Sequence, residues 1–502
     1  MVISWLIRML KNYQIFVHRM RPNLLCYLLL FLFCAELQGV ENKINDYIIK
    51  VARSIDLKGS TWQLPENAVL YCESNGKIIN GTIIGKNANI DNLNIENVRI
   101  TGTFSHIGIS LLNNIDSLFI GTFRTKNLYI NGNNHIVSST SFGIHRNTNI
   151  HFKDIVFDCR NVKDTFLYPI GNGTNSFILE NCTFNNVPEI ELLNPRNMLN
   201  PVIRGCRFNG LLFSNERKKS QILLNRFYEC KGKIVFESNE IKDCFGIAVG
   251  GIGYKQSDSV SVSIKNNKIM NVSNGGIVFS GGHVTNISVE NNYISNVYCL
   301  GALMGENLGF AENAAINFHG FSQLDIQYNT IVGCRNSYAI DLDGSFSNSI
   351  ENKGRLLNCS RNKLYNVLSP ILFNISDAVF SHNVVKIINQ EVSKSPVSAL
   401  IINSCSDIRI YENEMEVHKP INTRAYPIVV RENIGRKSGN IIITKNTIKT
   451  DDILYLMIHE GFSGELIANK NFTFSAINNS PLLWVNNSVS GKIRVADPNV
   501  YR

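Results

Sequence analysis

Charged residues are few, 18% of the 502-residue chain, and proline is scarce at 12. A chain with so little charge and 44% hydrophobic residues is not disordered, because disorder needs high charge and low hydrophobicity. Long apolar runs are missing apart from one near the N-terminus, which excludes a multi-span membrane protein. No Cys-x-x-Cys pair occurs among the 12 cysteines, so no structural zinc site is expected. The P-loop, the HExxH helix and the dinucleotide-binding glycine fingerprint are all lacking. Tryptophan is confined to Trp5, Trp62 and Trp484, which argues against a purely sugar-binding module built on aromatic platforms. The formal charge is +9, yet the one dense basic run is Arg217-Lys218-Lys219. That run is too short for a nucleic-acid face, and no nucleic-acid partner is expected.

Leu24 to Ala35 is apolar, with Arg21 before it and the polar stretch Glu36 to Lys43 after it. A spanning helix needs about 20 apolar residues, so this shorter run fits the core of an export signal. Residues 1–39 are therefore expected to be a signal peptide, with Met20 as an alternative start and cleavage near Gly39. Bulky Phe33 departs from the small residue usual before a lipid-bearing cysteine, so anchoring at Cys34 is not expected. The mature chain is expected to be periplasmic, cell-surface or extracellular, monomeric and without an integral span. Cysteines elsewhere follow strand-like units, as in Asn181-Cys182 and Gly333-Cys334, and read as a buried column of thiols. Disulfides in an oxidising compartment are the alternative.

What the chain has in abundance is a repeated phrase: a few alternating β-formers, a polar residue, Asn, then another short apolar run. It appears as VSIKNNKIMNV at Asn267, ISVENNYISNV at Asn292 and LDIQYNTIVGC at Asn329. It continues at Asn362, Asn383, Asn413 and Asn446, with earlier forms in SFILENCTFNNV and KIVFESNEIKDC. A repeat of about 20 to 35 residues is the mark of a solenoid. No amphipathic helix separates the strand-like runs, which argues against leucine-rich and helical repeats. The expected fold is all-β, a right-handed parallel β-helix over residues 61–480. Asn recurs where the chain turns, and its amide can bond to copies above and below. Residues 40–60 are expected to cap the first coil. There Ile44, Tyr47, Ile48, Val51 and Ile55 fall on one face of a short helix. Residues 481–502 are expected to be a C-terminal cap or tail. The Pro-rich and basic stretch 188–220 reads as an insertion.

The opening phrase ending in GKIINGTIIGKNANI and the Asn-punctuated coils resemble the right-handed β-helix (pectin-lyase-like) proteins, especially secreted ones of polysaccharide-degrading bacteria. The likeness spans nearly all of the mature chain. It implies a fold that hosts polysaccharide lyases, glycoside hydrolases, tail-spike depolymerases and adhesins, so function must be argued from a site.

A second phrase in each coil supplies a candidate. It runs GIAVGG, GIVFSGG, AINFHG, AIDLDG, PILFN, PIVVREN and LMIHEG along the chain. Alternation along a strand would point Ile316, Phe318, Ile340 and Leu342 inward and Asn317, His319, Asp341 and Asp343 outward. Stacking of coils about 4.8 Å apart would set Asn317 against Asp341 and His319 against Asp343. Ser280 and Asn374 would flank them, and Arg431 and Glu460 would lie farther along the column. The segment 297–313 lengthens one coil and carries Glu306 and Glu312, which would wall a groove, with His283 on the same rim.

Three chemistries fit. In glycoside hydrolysis Asp341 and Asp343 act as the paired carboxyls, with His319 tuning one of them. In β-elimination on a uronate polymer a cation neutralises the carboxylate and a base removes a proton. His319, Arg335, Lys353 and Arg361 supply bases or cations there, and calcium enters only in this reading. The Arg-x-Pro-x-x-Arg element of pectate lyases is missing, and the Asn-Thr-Asp and Asp-Asp elements of polygalacturonases are missing from these coils, although His319-Gly320 is present. The third is glycan binding without catalysis. Hydrolysis leads, no cofactor is expected for it, and the partner is a polysaccharide. The positive charge modestly favours an anionic one.

Overall fold

The computed structural model describes residues 40–43, 48–111, 120–131, 136–138, 146–160, 162, 166–188, 192–211, 225–252, 260–281, 286–298, 314–334, 338–344, 356–388, 397–418, 425–432, 438–450, 454–458, 462–469, 471–475, 482–485, 492–495 and 499–500. Its strands are short, mostly three to six residues, and all but the first, Val40–Lys43, pair in parallel with counterparts one coil away. The architecture is a parallel β-helix with three sheets.

One coil shows the plan. Leu324–Gln327 lies in the first sheet, Thr330–Val332 in the second and Tyr338–Asp343 in the third. Their partners one coil on are Leu357–Ser360, Lys363–Tyr365 and Ile371–Phe373. In the first sheet the pleat alternates buried and half-exposed residues, as in Ile287–Glu290. Inward side chains stack apolar on apolar, in places Phe on Phe. Phe157, Phe184 and Phe208 form a column with ring centroids 4.9 Å apart, and Phe279 lies on Phe318 at 5.2 Å. Each fully buried Phe contributes on the order of 1.5–3 kcal/mol.

Asparagine supplies the polar spine. Asn239, Asn267, Asn292, Asn329, Asn362, Asn383, Asn413, Asn446 and Asn471 stand over one another, all nearly or fully buried. Each of the first eight donates Nδ2 to the Oδ1 of the next at 2.8–3.1 Å. Backbone N–H groups donate to the same oxygens. The second Nδ2 proton goes to a carbonyl of the preceding coil, as from Asn329 to Val289 at 2.8 Å. The amides of this ladder are thus used on both sides, the condition under which polar groups can sit in a core. The turn itself is made one residue earlier. Ser238, Asn266, Asn291, Tyr328, Arg361, His382, Glu412 and Lys445 all have φ between 55° and 59°. These non-glycine residues accept left-handed strain because the ladder behind them over-determines it. Toward the N-terminus the spine passes into thiols: the Cys206 N–H donates to Asn239 Oδ1 at 2.8 Å. The described cysteines, from Cys72 to Cys405, are buried thiols outside any disulfide.

A surface column of the first sheet alternates in sign. Lys153, Glu180, Arg204, Glu237, Lys265 and Glu290 are consecutive register partners. Skipping one coil would set like charges together, so the column specifies register more than it adds stability.

Two expectations differ from the structure. The described part of the expected capping helix is strand: Ile48–Val51 alternates, with Ile49 and Val51 turned inward, and Ser54–Asp56 follows. β-Branched residues there find parallel partners in Val69–Cys72, so period two wins over the helical spacing. Val40–Lys43 covers the edge as an antiparallel strand. At the other end, Leu482–Val485, Lys492–Val495 and Asn499–Val500 keep parallel pairing beyond residue 481. The segment expected to be an export signal, with Cys34 and the alternative start at Met20, lies outside the described residues, as do Arg217-Lys218-Lys219. Among the described residues no helix is long and apolar enough to cross a membrane.

Candidate active site

Ile316, Phe318, Ile340 and Leu342 belong to the core. Alternation therefore turns Asn317, His319, Asp341 and Asp343 to the outer face of the third sheet. Register places Asn317 beside Asp341 and His319 beside Asp343. His319 Nδ1 lies 3.7 Å from Asp343 Oδ2, an ion pair when the imidazole is protonated. Gly320, at φ 72°, ends the strand just after His319, and its N–H donates to the Asp343 carbonyl at 2.8 Å. That bond locks the two coils together where the ion pair forms.

The two carboxyls occupy different surroundings. Asp341 stands between Asn317, 0% exposed, and Ile371, 8% exposed. Val278, Ile371 and Val429 are buried although they stand on the outer face and outside the core cluster. Burial pushes the Asp341 carboxyl up to about 6; His319 pulls it down and Asp343 pushes it up further. Asp343 is one fifth exposed and faces the imidazole. The two carboxyls thus share one strand face in different surroundings, one raised to about 6 by burial and one facing an imidazole.

Sequence alignment misses three features. Asn374 does not stand beside Asp343; the register partner of Asp343 is Phe373. The Ser369-Pro370 pair shifts the strand by one residue, so Asn374 falls at the turn with φ 51° and is fully buried. Its N–H donates to the Asn403 carbonyl at 3.0 Å. A whole coil, Leu400–Asn403, intervenes before Arg431, and Asn403 is the next member of the column. Arg431 is in the column but three coils from Asp343, about 14 Å along the axis. Tyr338, three residues before Asp341, is the third feature. Burial raises its phenol, Asp341 raises it further and Arg431 lowers it, so it senses both groups. Its place just before the AIDLDG phrase was the available signal.

Ser280 is the register partner of His319 on the preceding coil. Glu306, Glu312, His283, Arg335, Glu460 and Lys353 lie outside the described residues. Arg361 sits on a different ridge, stacked over Tyr328 and donating Nη1 to its hydroxyl at 2.6 Å. Among the described residues no three His, Cys, Asp or Glu side chains form a metal-binding group.

Residues 170–315 match the family described as the right handed beta helix region. No curated protein matches the chain. Solved structures similar to it include the Azotobacter vinelandii mannuronan C-5 epimerase AlgE6 A-module, at 10% identity and TM-score 0.24, covering 86% of this chain and 92% of that one. A double mutant of the periplasmic alginate epimerase AlgG is similar at 9% identity and TM-score 0.24, over 93% and 81% of the two chains. The Agl-KA catalytic domain is similar at 13% identity and TM-score 0.20, over 89% and 62%. At such scores these likenesses say nothing about chemistry.

Proposed function

We propose that this chain is an exported polysaccharide-cleaving enzyme, a glycoside hydrolase in which Asp341 donates a proton and Asp343 acts as base or nucleophile. The observation that carries the reading is the pair itself: two carboxyls at i and i+2 on one outer strand face, one raised to about 6 by burial and one facing a histidine. Their Cα atoms are about 6.5–7 Å apart, a spacing on which carboxyl groups can flank a glycosidic bond. In the reaction Asp341 protonates the leaving oxygen while Asp343 either activates water or attacks the anomeric carbon. His319 holds Asp343 and limits the rise of Asp341. Asn317, fully buried, is the register neighbour of Asp341 on the preceding coil. Glu306, Glu312, His283, Arg335 and Glu460 enter as groove residues on sequence position alone.

A glycan panel read by reducing-end release and by absorbance of unsaturated uronate tests the proposal. Release without new absorbance supports hydrolysis. Release with absorbance replaces it by β-elimination, and no release from any glycan that binds replaces it by binding alone.

A further inference from the structure

The outer face that carries the carboxyls continues toward the N-terminus. Residue by residue, the His319 column runs back through Ser280, Gly250, Tyr228 and Arg196. The neighbouring outward column runs from Asn317 through Val278 to Ala248. Tyr168 lies on the same face one coil before Arg196, because Leu167 pairs with Leu193 and Ile170 with Arg196.

These three side chains form a built feature. The Arg196 guanidinium carbon lies 4.9 Å from the Tyr168 ring centroid and 5.2 Å from that of Tyr228. Arg196 Nε donates to Asn194 Oδ1 at 3.2 Å, and Asn194 is only 3% exposed. The cation is thereby held in orientation, with its remaining four N–H donors on the two Nη groups. Tyr168 is 40% exposed, enough to meet a ligand from solvent. Tyrosine rings flanking an oriented guanidinium present two things at once. The rings offer flat apolar faces to a sugar, and the fork offers paired donors to a carboxylate or sulfate.

By register, the coils between this platform and the carboxyl pair carry Ala248 and Gly250, then Val278 and Ser280, then Asn317 and His319 in the same two columns. From Arg196 to Asp343 there are five coil steps, about 24 Å along the axis. Arg431 continues the same column on the far side of the carboxyls. A cation thus stands on each side of the pair, on one face.

We infer that Tyr168, Arg196 and Tyr228 form a distal subsite for an acidic sugar of the same polysaccharide whose cleavage is assigned to Asp341 and Asp343. The inference rests on that glycan reading and narrows the substrate to an anionic polymer lying along the helix axis. A chain long enough to bridge the two sites is held at both, whereas a short oligomer reaches only the carboxyls.

The test uses Tyr168→Ala, which truncates an exposed ring, and Arg196→Gln, which removes charge while keeping length. Binding of polygalacturonate, alginate and chondroitin sulfate, with neutral hydroxyethyl cellulose as control, is measured by calorimetry at low and high salt. Cleavage of polymer and of short oligomers is measured beside it. Expected is an acidic polymer that wild type binds in a salt-dependent way, with Kd and polymer KM raised about fivefold to tenfold in each variant. Turnover of short oligomers is unchanged. Wild-type affinity for every acidic polymer in both variants overturns the subsite. Equal loss for the neutral polymer overturns the acidic-sugar assignment. Binding does not require cleavage: a wild type that binds through Arg196 but releases no reducing ends supports the subsite while the hydrolase reading fails. Cleavage that survives in the variants with unchanged polymer binding does the reverse.

Discussion

Asp341→Asn should make the protein more stable at neutral pH while removing its activity. The carboxyl titrates at about 6 instead of its ordinary 3.8, chiefly because it is buried. Two units at about 1.4 kcal/mol each bound the effect near 3 kcal/mol, and partial solvation reduces it to roughly 1–3 kcal/mol. The folded-state value is the higher one, so the folded chain keeps a proton that the unfolded chain has lost. Wild-type stability is therefore undiminished below about pH 4, falls between about pH 4 and 6, and stays lowered above that. The asparagine variant cannot ionise and escapes this loss. Urea unfolding at pH 4 and pH 7.5 should show the two proteins close at the lower pH and the variant ahead at the higher. Asp158→Asn is the control of opposite sign. Hydrogen bonds from Arg160 hold the Asp158 carboxyl down to about 2. Its stabilisation is present above about pH 4 and lost as pH falls through 2, so removing it weakens the fold at pH 7.5. Equal pH profiles for wild type and Asp341→Asn would refute the claim that burial strains this carboxyl.

Asp343→Asn should abolish turnover and leave the melting temperature nearly unchanged, because its side chain is outside the core; wild-type rates would remove it from the mechanism. His319→Gln should move the alkaline limb of the kcat/KM profile upward, since the imidazole lowers the Asp341 value, and a limb that stays or falls contradicts that coupling. Asn329→Ala strips an acceptor from the Asn292 N–H and Nδ2 and a donor from the Val289 carbonyl. At about 1–3 kcal/mol per orphaned buried group, it should cost roughly 3–5 kcal/mol in urea unfolding. Asn440→Ala, at an exposed turn, should cost under about 0.5 kcal/mol, and similar costs for the two would deny the ladder its role.

The fold was legible because its two determinants repeat. Asn267, Asn292, Asn329 and their successors announce the turn, and the phrases around them alternate with period two. Each coil votes for the same register, so irregular spacing does little harm. The capping region failed for the opposite reason. A single short segment satisfies helical and strand spacing alike, and only the partner strand Val69–Cys72 decides between them. The site was legible in part. Asn317 with Asp341, and His319 with Asp343, follow from two adjacent phrases of equal length. The alignment slipped at the next coil because Pro370 takes an inward position where the preceding coil has Ile340. One residue of slip exchanges the outward Phe373 for the turn residue Asn374. Farther along, the coil ending in Asn403 was passed over because it lacks the opening small-residue–Ile phrase.

That contrast has a mechanistic side. Inward positions must stay apolar from coil to coil, as where Phe318 lies between Phe279 and Leu342, so the sequence is constrained along the solenoid. Outward positions obey no such rule and can change from coil to coil. Val278, Asn317, Asp341 and Ile371 succeed one another in a single outward column. Apolar residues at both ends of that short series exclude water from the carboxyl between them and raise it. If the flanks set the Asp341 value, Ile371→Ser should lower the alkaline limb of the pH–rate profile without disturbing the core that Leu372 fills. An unmoved limb in a folded Ile371→Ser protein would place the cause elsewhere and leave the proposed proton donor without its physical basis.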